Sequence, residues 1–236
     1  GGLPTGGVYS GTSVIGGSFN PTTAGVGSHQ ITYTYTDANG CINDETETIT
    51  VNALPTANFS GLSPEYCLNS ALVDITGNHS SGSFTGQGIS DNSDGTATFN
   101  PNAVGIHTIR YVFQDVNNCT AEYEQDVEVL ALPTPALTNN SVSNEICTGD
   151  AVEFTATGGI NYRFYRNNIV KQTGSSNTFS TTTLNDDDII SVTVIDANTC
   201  ENTAQQIIDV NPLPVLTFNV IPDICENVSA RNLSEA

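Results

Sequence analysis

The chain has no methionine and no tryptophan, and only five of its 236 residues are lysine or arginine. No apolar run approaches the roughly 20 residues that a membrane-spanning helix needs, which excludes membrane insertion by a helix. No stretch carries the i, i+3, i+4, i+7 apolar spacing of an amphipathic helix. Five basic residues stand against 25 acidic ones, a formal net charge of −20. That balance excludes nucleic acid and anionic membrane surfaces as partners, since both attract Lys and Arg. It suits a solvated surface that repels its neighbours. A CxxC or CxxH pair is also missing, which argues against structural zinc. With neither an initiator Met nor a signal peptide, the opening "GGLPTGG" (1–7) reads as the interior of something longer, any targeting signal lying elsewhere.

What is present is alternation. "ITYTYT" (31–36), "TETITV" (46–51), "VEFTAT" (152–157) and "ISVTVI" (190–195) interleave β-branched or aromatic residues with polar ones between Gly, Asn, Asp and Pro turns. Such segments are half-buried antiparallel strands, and short strands at regular spacing indicate β-sandwiches. The fold class expected is all-β.

The strands recur. "HQITYTYTDANGC" ends at Cys41, "HTIRYVFQDVNNC" at Cys119 and "DIISVTVIDANTC" at Cys200, intervals of 78 and 81 residues. A catalytic site is built once, so repetition at this period indicates an array of modules. Leu-Pro joints follow: Leu54, Leu132 and Leu213 each lie 13 residues after a turn cysteine. Proline there ends the ladder and stiffens a short linker. A second cysteine class follows each joint: Cys67 in "SPEYCLNSA", Cys147 in "SNEICTGDA" and Cys225 in "IPDICENVS". The chain parses as the back part of one module (1–53), complete modules at 54–131 and 132–211, and the start of another (212–236), arranged end to end.

These residues carry a resemblance. "ICTGDAVEFTATGGINY" (146–162), "VTVIDANTC" (192–200) and "VNPLP" (210–214) resemble the Ig-like and PKD-like tandem repeats of giant Bacteroidota cell-surface proteins. The first two modules are similar to the PKD-like variant of SprB-type gliding-motility adhesins. The resemblance implies a non-enzymatic stalk segment of a long adhesin filament at the cell surface. It also implies export by the type 9 pathway, the gliding and secretion machinery and neighbouring repeats as partners, and a polysaccharide or other surface ligand. The competing expectation is a set of spacer or glycan-binding modules on a secreted polysaccharide-degrading enzyme, which a flat platform of exposed aromatics in the third module would favour.

Six cysteines in two alternating classes indicate disulfides and an oxidising setting. Two arrangements are open. Pairs within modules, Cys67–Cys119 and Cys147–Cys200, would close loops worth about 4 kcal/mol each. In an Ig-like sandwich, however, the opening cysteine sits at the turn between the first two strands and the "DANTC" turn joins the last two, at opposite ends. The preferred expectation is a staple between modules, Cys67 with Cys200, while Cys41, Cys119, Cys147 and Cys225 pair outside the fragment.

No residue set is arranged for catalysis. His29 and His107 each lie 12 residues before a turn cysteine, and a structural hydrogen bond at a strand entrance explains both. His79, in "GNHSSG", is expected to be exposed. Ile31, Tyr33 and Tyr35 share one strand face, as do Ile109, Tyr111 and Phe113; core packing is the simpler reading, with a tyrosine corner as one form of it. Asp91 and Asp94 in "DNSDG" and Asp186, Asp187 and Asp188 in "NDDD" are the calcium candidates, calcium being the sole cofactor to consider; turn formation is the simpler account. Arg163, Arg166 and Lys171 gather three of the five basic residues into a candidate contact patch.

Overall fold

A computed structural model describes residues 1–217 and residue 226. The chain divides into two compact units, Gly1–Leu130 and Ala131–Ala236. Nearly every ordered segment is a strand, as the alternation requires.

The first unit opens with β1 (Val8–Gly11), the short hairpin of β2 (Val14–Ile15) and β3 (Ser18–Phe19), a single helical turn α1 (Pro21–Ala24), and the long strands β4 (Gly27–Thr36) and β5 (Ile42–Val51). Helix α1 forms because Pro21 has a preset φ and the Asn20 side chain accepts the Thr22 and Thr23 amides. Strands β1, β4 and β5 make one antiparallel sheet in that order. Among the described residues no second sheet closes its inner face.

The next module is a closed sandwich. It contains β6 (Phe59–Ser60), β7 (Glu65–Cys67), β8 (Val73–Gly77), β9 (Ser83–Thr85), β10 (Ile89–Asp91), β11 (Thr96–Phe99), β12 (Gly105–Gln114) and β13 (Thr120–Leu130). One sheet has the order β10-β11-β8-β6 and the other β7-β13-β12-β9. Ile75, Phe84, Ala97, Phe99, Ile109, Tyr111, Val127 and Val129 fill the space between them, none more than 3% exposed. At about 25 cal/mol per Å2 of apolar surface, burial of such side chains is the dominant stabilising term.

The second unit contains β14 (Ala136–Asn139), β15 (Glu145–Cys147), β16 (Val152–Thr157), β17 (Asn161–Arg166), β18 (Ile169–Gly174), β19 (Thr178–Thr181), β20 (Asp188–Ile195) and β21 (Glu201–Asn211). Its sheets are β14-β16-β19 and β15-β21-β20-β17-β18. The core is Val152, Phe154, Ala156, Phe164, Ile190, Val192, Val194 and Ile208, with Tyr162 and Leu184 at its margin. The fold class is therefore all-β, tandem β-sandwich modules.

One device recurs in the first unit. Tyr33 lies on β4 opposite Tyr9, and Tyr111 lies on β12 opposite Phe84. Each ring fills a loop that has glycine at two points. A Cβ on Gly2 or Gly7 would stand 2.4 Å from the Tyr33 ring, and one on Gly77 or Gly82 would stand 2.3 or 2.1 Å from Tyr111. The hydroxyls then close the loops: Tyr33 donates to the Pro4 carbonyl at 2.5 Å and Tyr111 to the His79 carbonyl at 2.7 Å. This is not the expected tyrosine corner, whose hydroxyl reaches back only a few residues; here it reaches 32 residues upstream. His79 is likewise not a free surface residue. Its ring stacks on Phe113 with centroids 3.7 Å apart, and its Nε2 meets the Thr56 carbonyl at 2.9 Å.

Candidate linkage sites at the two ends of each module

The turn that ends in cysteine has one geometry in all three occurrences. Asp37 Oδ1 accepts the Asn39 and Cys41 amides, both at 2.8 Å. Asp115 Oδ1 accepts the Asn117 and Cys119 amides at 2.8 and 2.9 Å, and Asp196 Oδ1 those of Asn198 and Cys200, both at 2.9 Å. The backbone closes the same loop, with the cysteine carbonyl accepting the aspartate amide at 3.0–3.1 Å. The residue before each cysteine has positive φ: Gly40 at 84°, Asn118 at 64° and Thr199 at 66°. Gly and Asn adopt that conformation readily, whereas Thr is strained there. A short carboxylate at the first position is thus a clamp that fixes the direction of the cysteine. The Cys41 amide foremost, helped by bonds from Asn39 and Gly40 and opposed by desolvation, holds the Asp37 carboxyl below its ordinary 3.8.

The other cysteine class sits on a short strand. Strand β7 runs parallel to the end of β13, with Cys67 opposite Leu130, and β15 runs parallel to the end of β21, with Cys147 opposite Asn211. The opening cysteine is therefore on a strand and not in the turn expected for it, but at the expected end. Further bonds secure it: the Leu68 amide donates to Leu130 at 2.8 Å and the Thr148 amide to Asn211 at 2.9 Å. Leu130 and Asn211 each lie 11 residues past the tip cysteine of their module. At ~3.3 Å per strand residue the two cysteines of one module are on the order of 35 Å apart, and a disulfide tolerates roughly 7 Å between Cα atoms. Pairing within a module is excluded by this strand register.

Cys67 and Cys200 are each engaged in a disulfide, and Cys200 is fully buried. Cys41, Cys119 and Cys147 are free thiols, Cys41 and Cys147 exposed and Cys119 half-buried. Cys225 lies outside the described residues.

The remaining candidates are distributed differently from the sequence expectation. Asp94 accepts the Thr96 hydroxyl at 2.6 Å and the Thr96 amide at 3.0 Å, and that hydroxyl bond, then the amide, lowers its pKa; it is a turn residue. Asp91 is exposed at the end of β10. Asp186 and Asp187 converge with Asp209 of β21, their carboxylate oxygens within 4.8 Å of one another, and Asp186 already accepts the Val210 amide at 3.0 Å. Sequence reading missed Asp209 because it lies a strand away. Asp188 does not join them. Its side chain, 5% exposed, pairs with Arg166 at 2.5 Å and accepts from Asn167 and the Asn185 amide, both at 2.6 Å. Burial raises the pKa of Asp188, but the Arg166 guanidinium and those amide donors outweigh it, and the net shift is downward.

That pairing also divides the expected basic patch. Arg166 pairs with Ile190 across the sheet, on the core face, whereas Arg163 pairs with Thr193 on the opposite face, where it meets the Tyr165 hydroxyl at 3.4 Å and Glu201 at 3.9 Å. A three-residue separation on a period-2 strand puts the two guanidiniums on opposite sides, and Lys171 is alone at the bulge in β18. Aromatics of this module are likewise not a platform: Phe154 and Phe164 are fully buried, Tyr162 nearly so, and Phe179 stacks on both phenylalanines. His29 and His107 do what strand entrances require, meeting the carbonyls of Gly25 at 2.8 Å and Ala103 at 2.7 Å. No helix among the described residues is long and apolar enough to cross a membrane.

No family model matches the chain, and no curated protein matches it. Solved structures similar to it include fibronectin(III)-like modules of Clostridium thermocellum CbhA, at 14% identity and TM-score 0.38 over 66% of this chain and 95% of that one. A Ca2+-stabilized adhesin with which an Antarctic bacterium binds ice is 16% identical, TM-score 0.38, over 78% of this chain and 57% of that one. The N-terminal eight Ig domains of the Down Syndrome Cell Adhesion Molecule are 8% identical, TM-score 0.40, over 79% and 27%.

Proposed function

We propose that the chain is a structural stalk segment of a long, secreted cell-surface adhesin filament serving surface attachment and gliding motility, exported by the type 9 pathway. The observation that carries this is the distribution of cysteine. Each complete module holds one cysteine at its hairpin tip, aimed by an aspartate clamp, and one at the joint end, on a strand hydrogen-bonded to the same long β-strand. A module with one sulfur at each end is suited to covalent linkage in series and unsuited to internal bridging. In this reading Cys67 and Cys200 join to each other, and the remaining cysteines join partners in further repeats. Pulling force then passes through the long strands and their disulfides before it loads the cores.

Non-reducing peptide mapping by mass spectrometry tests the linkage. A crosslinked peptide containing Cys67 and Cys200 is expected; a Cys67 peptide joined to Cys119 or Cys147 would sink it. The adhesin reading is tested in the source cell, where deleting the chain's coding region should abolish surface attachment and colony spreading. Retention of both would remove the assignment.

A further inference from the structure

The chain contains one Asn-Gly pair, Asn39–Gly40, and one Asp-Gly pair, Asp94–Gly95. In both, glycine leaves its own backbone nitrogen unhindered by a side chain, so that nitrogen can reach the Cγ of the residue before it. The structure treats the two pairs differently.

Asn39 and Gly40 are exposed at their hairpin tip, and so are the equivalent Asn117–Asn118 and Asn198–Thr199 at the tips of both complete modules. Exposure therefore belongs to the turn and not to the extent of any one module. What sets the first tip apart is Gly40, at a φ of 84°, where the other two tips carry a side chain. The Gly40 amide donates to the Asp37 carbonyl at 3.1 Å, and a bond in an exposed tip opens locally at little cost. The Asn39 side-chain amide reaches Asp37 Oδ2 only at 3.5 Å, too long to fix its position. Asp94–Gly95 is the opposite case. Gly95 is buried, its carbonyl accepts the Gly77 amide at 2.8 Å, and a Cβ on it would stand 2.2 Å from the His79 carbonyl oxygen. Asp94 Oδ1 is held by the Thr96 hydroxyl at 2.6 Å and the Thr96 amide at 3.0 Å.

We propose that Asn39–Gly40 is a site of spontaneous deamidation, and that its isoaspartate product dismantles the aspartate clamp on Cys41. The Gly40 nitrogen attacks Asn39 Cγ and gives up its proton. The Cγ–Nδ2 bond breaks, Nδ2 leaves as ammonia, and a succinimide ring is closed. Water then opens either carbonyl of that ring, giving aspartate or isoaspartate, with no oxidant or reductant consumed. In isoaspartate the main chain runs through Cγ, one methylene longer between the Asn39 and Cys41 amides. Asp37 Oδ1 accepts those two amides together, both at 2.8 Å, and with the chain lengthened between them one oxygen no longer serves both. The proposal rests on the turn and not on the adhesin reading.

The test uses the whole folded chain, incubated in mildly alkaline buffer and sampled over days. Peptide mapping by mass spectrometry, with electron-transfer fragmentation, separates isoaspartate from aspartate. Conversion at Asn39 is expected to be at least tenfold faster than at Asn117 or Asn198. It should slow at least tenfold in Gly40→Asn, which reproduces the turn of the second module, and Asp94 should isomerise only after unfolding in urea. Equal rates at the three tips, an unchanged rate in Gly40→Asn, or Asp94 isomerising in the folded chain as fast as Asn39 converts would overturn the site. Amide exchange tests the consequence: the Cys41 amide should lose protection in the isoaspartate form while those of Cys119 and Cys200 keep theirs. Asn39→Asp adds the charge without lengthening the backbone and should leave the Cys41 amide protected. Equal loss in that variant, or no loss in the isoaspartate form, would overturn the effect on the clamp.

Discussion

Tyr111 holds His79 at both backbone polar groups: its hydroxyl accepts the His79 amide at 3.0 Å and donates to the His79 carbonyl at 2.7 Å. The loop around His79 has glycine at positions 77 and 82 because the ring occupies the volume a Cβ would need. Neither glycine has a positive φ, so the requirement is steric. Gly82→Ala should destabilise this module by about 1–3 kcal/mol through overpacking. Tyr111→Phe, which leaves two His79 groups without their partner, should cost about 1–3 kcal/mol. Urea unfolding of the single variants measures both, and a Gly82→Ala variant as stable as the parent would contradict the steric account.

The aspartate clamp should be separable from its cysteine. Asp115→Ala removes two acceptor bonds at the tip and should lower stability by about 1–2 kcal/mol, while Asp115→Asn, which keeps one oxygen, should lose less. Thermal melts under reducing conditions isolate this from any sulfur chemistry. In the same way Asp196→Ala should reduce the fraction of Cys200 found in a disulfide, read by thiol alkylation.

Arg166 and Asp188 form a mostly buried ion pair, with side chains 17% and 5% exposed. Breaking it with Arg166→Ala leaves a buried carboxylate without its cation and should cost about 3–5 kcal/mol, less the share that solvent recovers at the arginine end. Replacing both, as Arg166→Met with Asp188→Leu, should recover most of the loss. A double variant no better than Arg166→Ala would show that the carboxylate is held by Asn167 and Asn185 instead.

Acid should act through the same groups. Asp37, Asp94 and Asp188 each have a folded pKa below the ordinary 3.8. A depressed folded pKa contributes stability that is fully present above the unfolded value and is lost as pH falls through the folded one. Urea midpoints should therefore be flat from pH 7 to about pH 5 and fall below about pH 4. Asp94→Asn should make that decline shallower.

Reduction should alter linkage and leave the cores intact, because each buried cluster is assembled from hydrophobic side chains. With a thiol reductant the circular dichroism melt should move by no more than a few degrees, while small-angle scattering should report a broader distribution of maximum dimension. Collapse of the melt on reduction would mean that sulfur holds the modules themselves together.

Much of this was legible in the sequence, and for a local reason. Strand alternation, the Asp-to-Cys turn and the Leu-Pro joint are set by period-2 packing and backbone preferences within a few residues, so "ITYTYTDANGC" announces its own hairpin. The histidine bonds at positions 29 and 107 were readable because they span only four residues. Long-range encounters were not readable. Nothing near Tyr111 in the chain indicates that its hydroxyl closes a loop at His79, although glycines flanking that loop at matching places in both modules were an available signal.

The sequence by itself determined an acidic array of β modules with two alternating classes of cysteine, because composition, periodicity and turn chemistry are local properties. The tertiary structure decided which side of a strand each charge occupies, and so separated Arg163 from Arg166 and Asp188 from Asp186. It also put the cysteines of one module a full strand length apart. Those outcomes depend on which strands pair and in what register, and register is fixed only when distant segments bury their apolar faces together.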